Sequence, residues 1–318
     1  MNSSKIVVIG SSNTDMIIQL NKIPVPGETV LGGNFSTAPG GKGANQAVAA
    51  ARAGADVTFI ASVGDDSLGI QAIEGFRRDG INVEYIKKVE NVASGVALIF
   101  VGNDGENSIG VASGANASLS PENIIELKHI ISRADAVLMQ LETPLETITA
   151  AAKLAHEAGV KVILNPAPAQ PLSDDLLKMV SILTPNETEA ELLTGIKVEN
   201  ETGANKAAET LLAKGIEAVL ITLGARGVFL AAGEKRKMIP GFKVKAVDTT
   251  AAGDVFNGAL TVALAENKSF DKAIRFANAA AALSVTKLGA QPSAHSRQEI
   301  DGFLNEMQKQ AEGSLSVS

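Results

Sequence analysis

The regular pattern of the chain opens with an unbroken β-branched run, Ile6-Val7-Val8-Ile9, set between Lys5 and the turn residues Gly10-Ser11-Ser12. A run without polar alternation predicts a strand covered on both faces, as in the centre of a parallel sheet. After residue 40, helical and strand spacings of apolar residues alternate. Helices are predicted over 43–53, 67–78, 121–133, 144–158 and 271–288, and strands over 57–61, 136–141, 160–164, 180–183 and 219–223. Strands alternating with helices predict an α/β fold: a doubly wound, mostly parallel sheet with helices on both faces. Ligands of such sheets lie beyond the carboxyl ends of the strands, so the polar residues there are the candidates for chemistry.

Two stretches depart from this rhythm. Within 14–36, Asp15-Met16-Ile17-Ile18-Gln19-Leu20 and Thr29-Val30-Leu31 read as short strands with one wet face, on either side of the turn Pro24-Val25-Pro26-Gly27. A similar pair, 95–100 and 107–111, flanks the turn Gly102-Asn103-Asp104-Gly105. Paired with each other, these insertions at about 14–36 and 95–112 would make a small sheet apart from the main one, either a lid over a site or a face for a second subunit. No internal repeat is evident, residues 1–318 read as a single domain, and the tail from Gln308 reads as loose.

Composition narrows the partners. Hydrophobic residues make up 45% of the chain but aromatics only 3%, with no Trp and one Tyr, Tyr85. The core must therefore be aliphatic and Ala-rich, and a stacking platform for single-stranded nucleic acid is hard to build. A net charge of −7 and the lack of any Lys/Arg block argue against a phosphate-backbone partner. Without cysteine there are no disulfides, thiolate metal sites or Cys nucleophile, which fits a reducing compartment. With no signal-peptide pattern and no apolar run near 18 residues, the chain reads as soluble and cytoplasmic, with no membrane partner.

At the strand ends, Gly10-Ser11-Ser12-Asn13-Thr14-Asp15 is either an ordinary turn or a set of hydroxyl-binding groups suited to a sugar. Ala38-Pro39-Gly40-Gly41-Lys42-Gly43-Ala44-Asn45 opens a helix with three glycines around a lysine. It is not a Walker A loop, because Ser36 and Gly43 fall where Gly and Ser/Thr are required, nor a dinucleotide fingerprint, because Gln46 takes the third glycine position. Exposed backbone with Lys42 and Asn45 beside it suits a ligand. Thr143-Pro144 with Glu146 matches a capping box, which leaves the neighbouring Glu142 free to accept sugar hydroxyls. Asn186-x-x-Glu189 is itself a capping-box pattern, and Gly224-Ala225-Arg226-Gly227 fits a tight hairpin nearly as well as a phosphate loop. The run Asn278-Ala279-Ala280-Ala281-Ala282 offers a flat helix face.

The densest candidate is Asp248-Thr249-Thr250-Ala251-Ala252-Gly253-Asp254. Lys243 to Val247 alternates in the strand manner and a helix is predicted over 254–266. The small residues Ala251, Ala252 and Gly253 lie at the turn, where a helix start presents unpaired N–H groups and suits an anion. Asp254 is then either an N-cap or a general base beside that anion site.

Gly40-Gly41-Lys42-Gly43-Ala44-Asn45 and Asp248-Thr249-Thr250-Ala251-Ala252-Gly253-Asp254, in this order and spacing, resemble the two motifs of the ribokinase family of carbohydrate kinases, the PfkB type; the match runs from about residue 5 to residue 305. The resemblance implies a ribokinase-like fold and ATP-dependent phosphorylation of D-ribose at its 5-hydroxyl. It implies Asp254 as catalytic base, Ala251, Ala252 and Gly253 as the anion hole, and ribose held by Asn13, Thr14, Asp15, Gly41, Lys42, Gly43, Asn45 and Glu142. It places ATP against Asn186, Thr222, Gly224, Arg226, Gly227, Gly253 and Asn278, with Asn186 and Glu189 near Mg2+ and phosphate. It implies a K+ site at Asp248, Thr250, Ser284, Lys287, Gly289 and Ser293, mostly through carbonyls, and a homodimer through the lid sheet. Many members carry Gly where this chain has Ala251. Neighbouring members act on fructose, tagatose phosphate, deoxyribose or nucleosides such as adenosine and inosine; the aromatic poverty counts against a nucleobase. The retained Asp254 and Lys42 oppose a non-catalytic sugar sensor, and the missing glycine fingerprint opposes an NAD-dependent dehydrogenase.

Overall fold

The computed structural model describes residues 3–315. Strands β1 (Lys5–Ile9), β4 (Asp56–Gly64), β5 (Ile86–Val89), β8 (Ala136–Met139), β9 (Lys161–Leu164), β10 (Ile182–Leu183), β11 (Ala218–Thr222), β12 (Val228–Ala232) and β13 (Lys235–Ile239) form one nine-stranded sheet. Its order is β13-β12-β11-β10-β9-β8-β1-β4-β5, parallel except for the hairpin additions β12 and β13. Each parallel pairing requires a crossover, and helices supply most of them: α1 (Lys42–Arg52), α2 (Ser67–Arg78), α3 (Pro121–Glu126), α4 (Lys128–Ile131), α5 (Leu145–Glu157), α6 (Asp174–Leu177), α7 (Glu187–Thr194) and α8 (Glu201–Leu212), followed by α9 (Ala252–Ala265), α10 (Phe270–Ser284) and α11 (Arg297–Leu315). From β1 the chain builds outward to β4 and β5, then returns through β8 to build the other way. The order reverses between β1 and β8, and a crevice opens at such a switch point.

Residue alternation in β1 explains the two layers. Ile6 and Val8 enter the core shared with α1, α9 and α10, while Val7 and Ile9 enter the opposite core shared with α5 and α8. All four are 3% exposed or less, so both faces of the strand are covered, as its unbroken apolar run requires. Helices α1 and α9 approach closely because Gly258 has no side chain: a Cβ there would lie 2.7 Å from the Gln46 carbonyl and 2.9 Å from the Ala50 nitrogen. That approach brings the first turn of α9 against the first turn of α1.

Both departing stretches enter one small sheet, but the strand after the Pro24–Gly27 turn is 34–40 rather than 29–31. β2 (Asn13–Gln19) and β3 (Asn34–Gly40) join β6 (Gly95–Val101) and β7 (Asn107–Ala112) in a separate four-stranded sheet, order β3-β2-β6-β7. Its register Asn13↔Gly40 and Asn13↔Gly95 places the strand ends beside the switch point.

Several local expectations fail. Residues 243–247 alternate but form no strand, because the edge strand β13 ends before them and Val247 and Asp248 instead donate to the Val285 carbonyl. Thr29-Val30-Leu31 is exposed or half-buried chain without sheet partners. The helix expected over 121–133 divides into α3 and α4, and that expected over 271–288 ends at Ser284. The tail beyond Gln308 continues α11 to Leu315; Met1, Asn2 and residues 316–318 lie outside the described residues. Among the described residues, no helix is long and apolar enough to cross a membrane.

Candidate active site

Asp254 lies in the first turn of α9, but it does not cap the helix. The N-cap position is Ala251, in the left-handed region at φ 58° and ψ 12°, and no side chain caps α9. The Asp254 carboxylate instead crosses to α1: Oδ2 accepts from Asn45 Nδ2 at 2.9 Å and Oδ1 from Gln46 Nε2 at 2.9 Å. Burial pushes the Asp254 carboxyl above its ordinary value, against the opposing pull of Lys42 and of the two amides. A buried carboxylate with a raised pKa and spare lone pairs is equipped to receive a proton. Asn45 Oδ1, buried and without a partner, is a second acceptor beside it.

The mouth of α9 supplies donors. Of the four amides from 251 to 254, Ala252 N–H is engaged at 3.3 Å by the Thr249 carbonyl; those of Ala251, Gly253 and Asp254 have no acceptor among the described residues. Gly253 is exposed, and a Cβ there would touch nothing within 4 Å. Packing therefore gives no reason for glycine at 253, whereas an anion approaching the backbone does.

Lys42 gathers the carboxylates. Burial opposes its ammonium, but Asp254, Glu142 and Glu189 outweigh that and hold it above the ordinary lysine value. Asp15 is raised to about 6 by burial first and then by the charges of Glu142 and Asp254. Glu142 is partly used by the fold: its Oε2 accepts the Lys42 backbone N–H at 2.9 Å and the Ser11 hydroxyl at 2.5 Å. The expected cap by Thr143 is absent. Pro144 is the N-cap residue of α5, no side chain caps it, and Thr143 Oγ1 is buried without a partner.

Strand alternation separates the residues of β2. Asn13 and Asp15 share one face of the small sheet and Thr14 points to the other, so its side chain does not join this group. Close packing accounts for the three glycines near Lys42. A Cβ at Gly40 would lie 2.3 Å from Asp15 Oδ1, one at Gly41 2.7 Å from the Asn13 nitrogen, and one at Gly43 2.5 Å from the Ser11 nitrogen. These glycines let the carboxylate of Asp15 and the end of β1 approach, a use that packing alone requires.

The candidates farther along the sheet form a second group. Asn186 caps α7, and both oxygens of Glu189 accept from Asn186, from its backbone at 2.8 Å and its side chain at 3.0 Å, so the capping-box reading holds. Burial raises the Glu189 carboxyl. Thr222 bridges to Asn186, Arg226 pairs with Glu187, and Gly227 turns the β11–β12 hairpin at φ 99°. Asn278 donates to the Pro240 carbonyl at 3.2 Å, beside that hairpin. Gly224, at φ 55°, leaves open space around its Cα.

A third group joins two loops. Asp248 Oδ1 accepts from Thr250 N at 2.9 Å and Oδ2 from Gly289 N at 2.8 Å, while the Ser284 carbonyl accepts from Lys287 N at 3.1 Å and Ser293 donates to the Ala290 carbonyl at 2.7 Å. Among the described residues, no group of three His, Cys, Asp or Glu side chains could hold a metal ion. Both Asp248 oxygens already accept backbone N–H groups, and a single carboxylate such as Glu189 could hold a divalent ion only together with phosphates and water.

The family model described as pfkB family carbohydrate kinase matches residues 3–297. The chain belongs to the pfkB family of carbohydrate kinases. The ribokinase of Haemophilus influenzae is 53% identical to it over 299 residues, 94% of this chain and 98% of that protein. The ribokinase of Bacillus subtilis is 43% identical over 300 residues, 94% of this chain and 99% of that one. The solved structure of Arabidopsis thaliana ribokinase complexed with ribose and ATP matches with a TM-score of 0.89 at 35% identity, covering 96% of this chain and 99% of that one.

In this carbohydrate kinase, two buried partners carried no signal of their own in the sequence. Gln46, whose local sequence context speaks only against a dinucleotide loop, binds Asp254. Asn116, 1% exposed, donates to Asn13 Oδ1 at 2.7 Å and accepts from Ser12 N at 2.8 Å. Gly95 makes room for that pair, since a Cβ there would lie 2.2 Å from both side chains.

Proposed function

We propose that the chain is an ATP-dependent sugar kinase that phosphorylates the 5-hydroxyl of D-ribose to give ribose 5-phosphate. The observation that carries this reading is the orientation of Asp254, held by Asn45 and Gln46 at the mouth of α9 instead of closing its own helix. Near-full-length similarity to ribokinases supports ribose as the sugar.

The sugar lies between Asp15, Asn13, Asn45, Lys42 and the free oxygen of Glu142, beneath the four-stranded sheet acting as a lid on a single ribokinase-like domain. Asp254 takes the proton of the terminal hydroxyl. The free N–H groups of Ala251, Gly253 and Asp254 receive the charge that develops on the transferred group, an arrangement whose members each contribute about 3 kcal/mol. Lys42 offsets the carboxylates around the sugar. When bound at Asn186, Thr222, Gly224, Arg226, Gly227 and Asn278, ATP supplies the phosphoryl group, with Mg2+ near Glu189 neutralising phosphates and K+ at the Asp248 loops. Phe35 at 65% and Leu98 at 49% exposure lie on the same face of the lid, which supports a homodimer through that sheet. The cysteine-free chain acts in the cytoplasm.

A coupled ADP-release assay with pentoses, hexoses and nucleosides tests the proposal. Ribose is expected to give the highest kcat/KM; fructose, deoxyribose, adenosine or inosine outcompeting it would replace the substrate, and no sugar-dependent ADP release would favour a sensor.

A further inference from the structure

Gln46 is fully buried, and both N–H donors and the carbonyl oxygen of its amide are engaged. Nε2 donates to Asp254 Oδ1 at 2.9 Å and to Asn165 Oδ1 at 3.0 Å, while Oε1 accepts from Gln140 Nε2 at 2.6 Å. Asn165 Nδ2 in turn donates to the Thr184 carbonyl at 3.1 Å, the Thr184 hydroxyl donates to Asn257 Oδ1 at 2.6 Å, and Asn257 Nδ2 donates to the Gly253 carbonyl at 2.8 Å.

The direction of every amide in this chain of bonds is fixed. The Asp254 carboxylate and the carbonyls of Thr184 and Gly253 can only accept, so a flipped Gln46, Asn165 or Asn257 would set oxygen against oxygen. The circuit starts on the Asp254 side chain and ends on the Gly253 carbonyl, which belongs to the peptide group that presents the free Asp254 N–H. It passes through α1, the ends of β9 and β10, and the first turn of α9.

We propose that Gln46 is a positioning residue for phosphoryl transfer, locking the base carboxylate of Asp254 and the anion-binding peptide 253–254 in one relative orientation. The proposal rests on the reading of Asp254 as general base. The amide also satisfies the buried Gln140 and Asn165, and its remaining donor is aimed at the one carboxylate assigned to take the proton. A donor to the ionised carboxylate also favours that form. Other charges facing Asp254 are Lys42 on α1, Glu142 beyond β8, Asp15 on β2 and Glu189 on α7.

The experiment is the pH profile of kcat for Q46M at saturating ribose and ATP, alongside ribose binding by calorimetry and a thermal melt. Methionine keeps the volume and removes the donor. The expected result is kcat lower by about 10- to 100-fold, an acidic limb displaced upward by about one pH unit, and ribose affinity within about threefold of the parent. A kcat within twofold of the parent, or a lowered kcat with the limb unmoved, overturns the proposal. If Q46M does not fold, Q46E serves: one carboxyl proton cannot satisfy both Asp254 and Asn165, so kcat is expected to fall at least tenfold, more at pH 8 than at pH 6, and a parental profile overturns the proposal. D254N separates the two readings. An inactive D254N with a parental Q46M removes the role of Gln46 alone, while an active D254N removes the base on which it rests.

Discussion

Glu142 Oε2 accepts the backbone N–H of Lys42 at 2.9 Å across 100 residues of sequence, so a carboxylate at the end of β8 closes the first turn of α1. No side chain at the N-cap, Gly41, does so. The two groups meet at the switch point, where Lys42 also balances the charge of Glu142. E142A is expected to lower stability by about 1–2 kcal/mol, the range for a lost cap, and E142Q, which keeps an acceptor, by less than half of that. Urea unfolding measures both; equal losses would mean that charge rather than capping is the contribution.

Asp15 makes stability depend on pH in the sense opposite to a salt-bridged carboxylate. Its pKa is raised from 3.8 to about 6, so the folded state holds the proton more tightly than the unfolded one. The penalty is absent below the unfolded value, grows as pH rises between the two, and is complete above the folded value. Partial solvent exposure leaves about 1–2 kcal/mol of the nominal effect. D15N is therefore expected to melt at a higher temperature than the parent above pH 6.5, with the gap shrinking toward pH 4.5, and to bind ribose more weakly. A gap independent of pH would show that Asp15 is not protonated in the fold.

Ala251 occupies a left-handed conformation at φ 58°, which costs a non-glycine residue about 1–2 kcal/mol. Glycine would relieve this while adding about 0.5–1 kcal/mol of unfolded-state entropy. A251G is thus expected to be unchanged or more stable by up to about 1 kcal/mol, and A251V less stable by more than about 1 kcal/mol. Thermal melts that rank valine at or above alanine would contradict the assigned backbone.

Gly258 sets the distance between α1 and α9, with the Ala49 side chain 2.7 Å from where its Cβ would stand. G258A is expected to lower stability by about 1–3 kcal/mol, as overpacking does, and to reduce kcat more than it raises KM for ribose, because Asp254 shifts relative to Asn45 and Gln46. Parental kcat in a destabilised G258A would break the link between helix spacing and turnover.

The sequence was most informative where one property sufficed. The β-branched run of β1 could only be a doubly covered strand, and the helix predicted over 67–78 is observed with those limits, stopped at its start by the Asp66 cap. It was least informative where the partner is distant. Gln46 lies 208 residues from Asp254, and nothing local marks it as a ligand of that carboxylate. The Thr143 pattern formed no cap because the helix begins one residue later, with Pro144 at the N-cap, and the packing of the glycines around Lys42 against Ser11, Asn13 and Asp15 is not disclosed by local spacing.

The central claim is that Asp254 deprotonates the sugar hydroxyl. Its most direct test is D254N, with ribose affinity from calorimetry and turnover from ADP release on the same preparation. Ribose binding within a few-fold of the parent together with a kcat reduced by at least about 100-fold is the expected pair. A kcat within tenfold of the parent would contradict it.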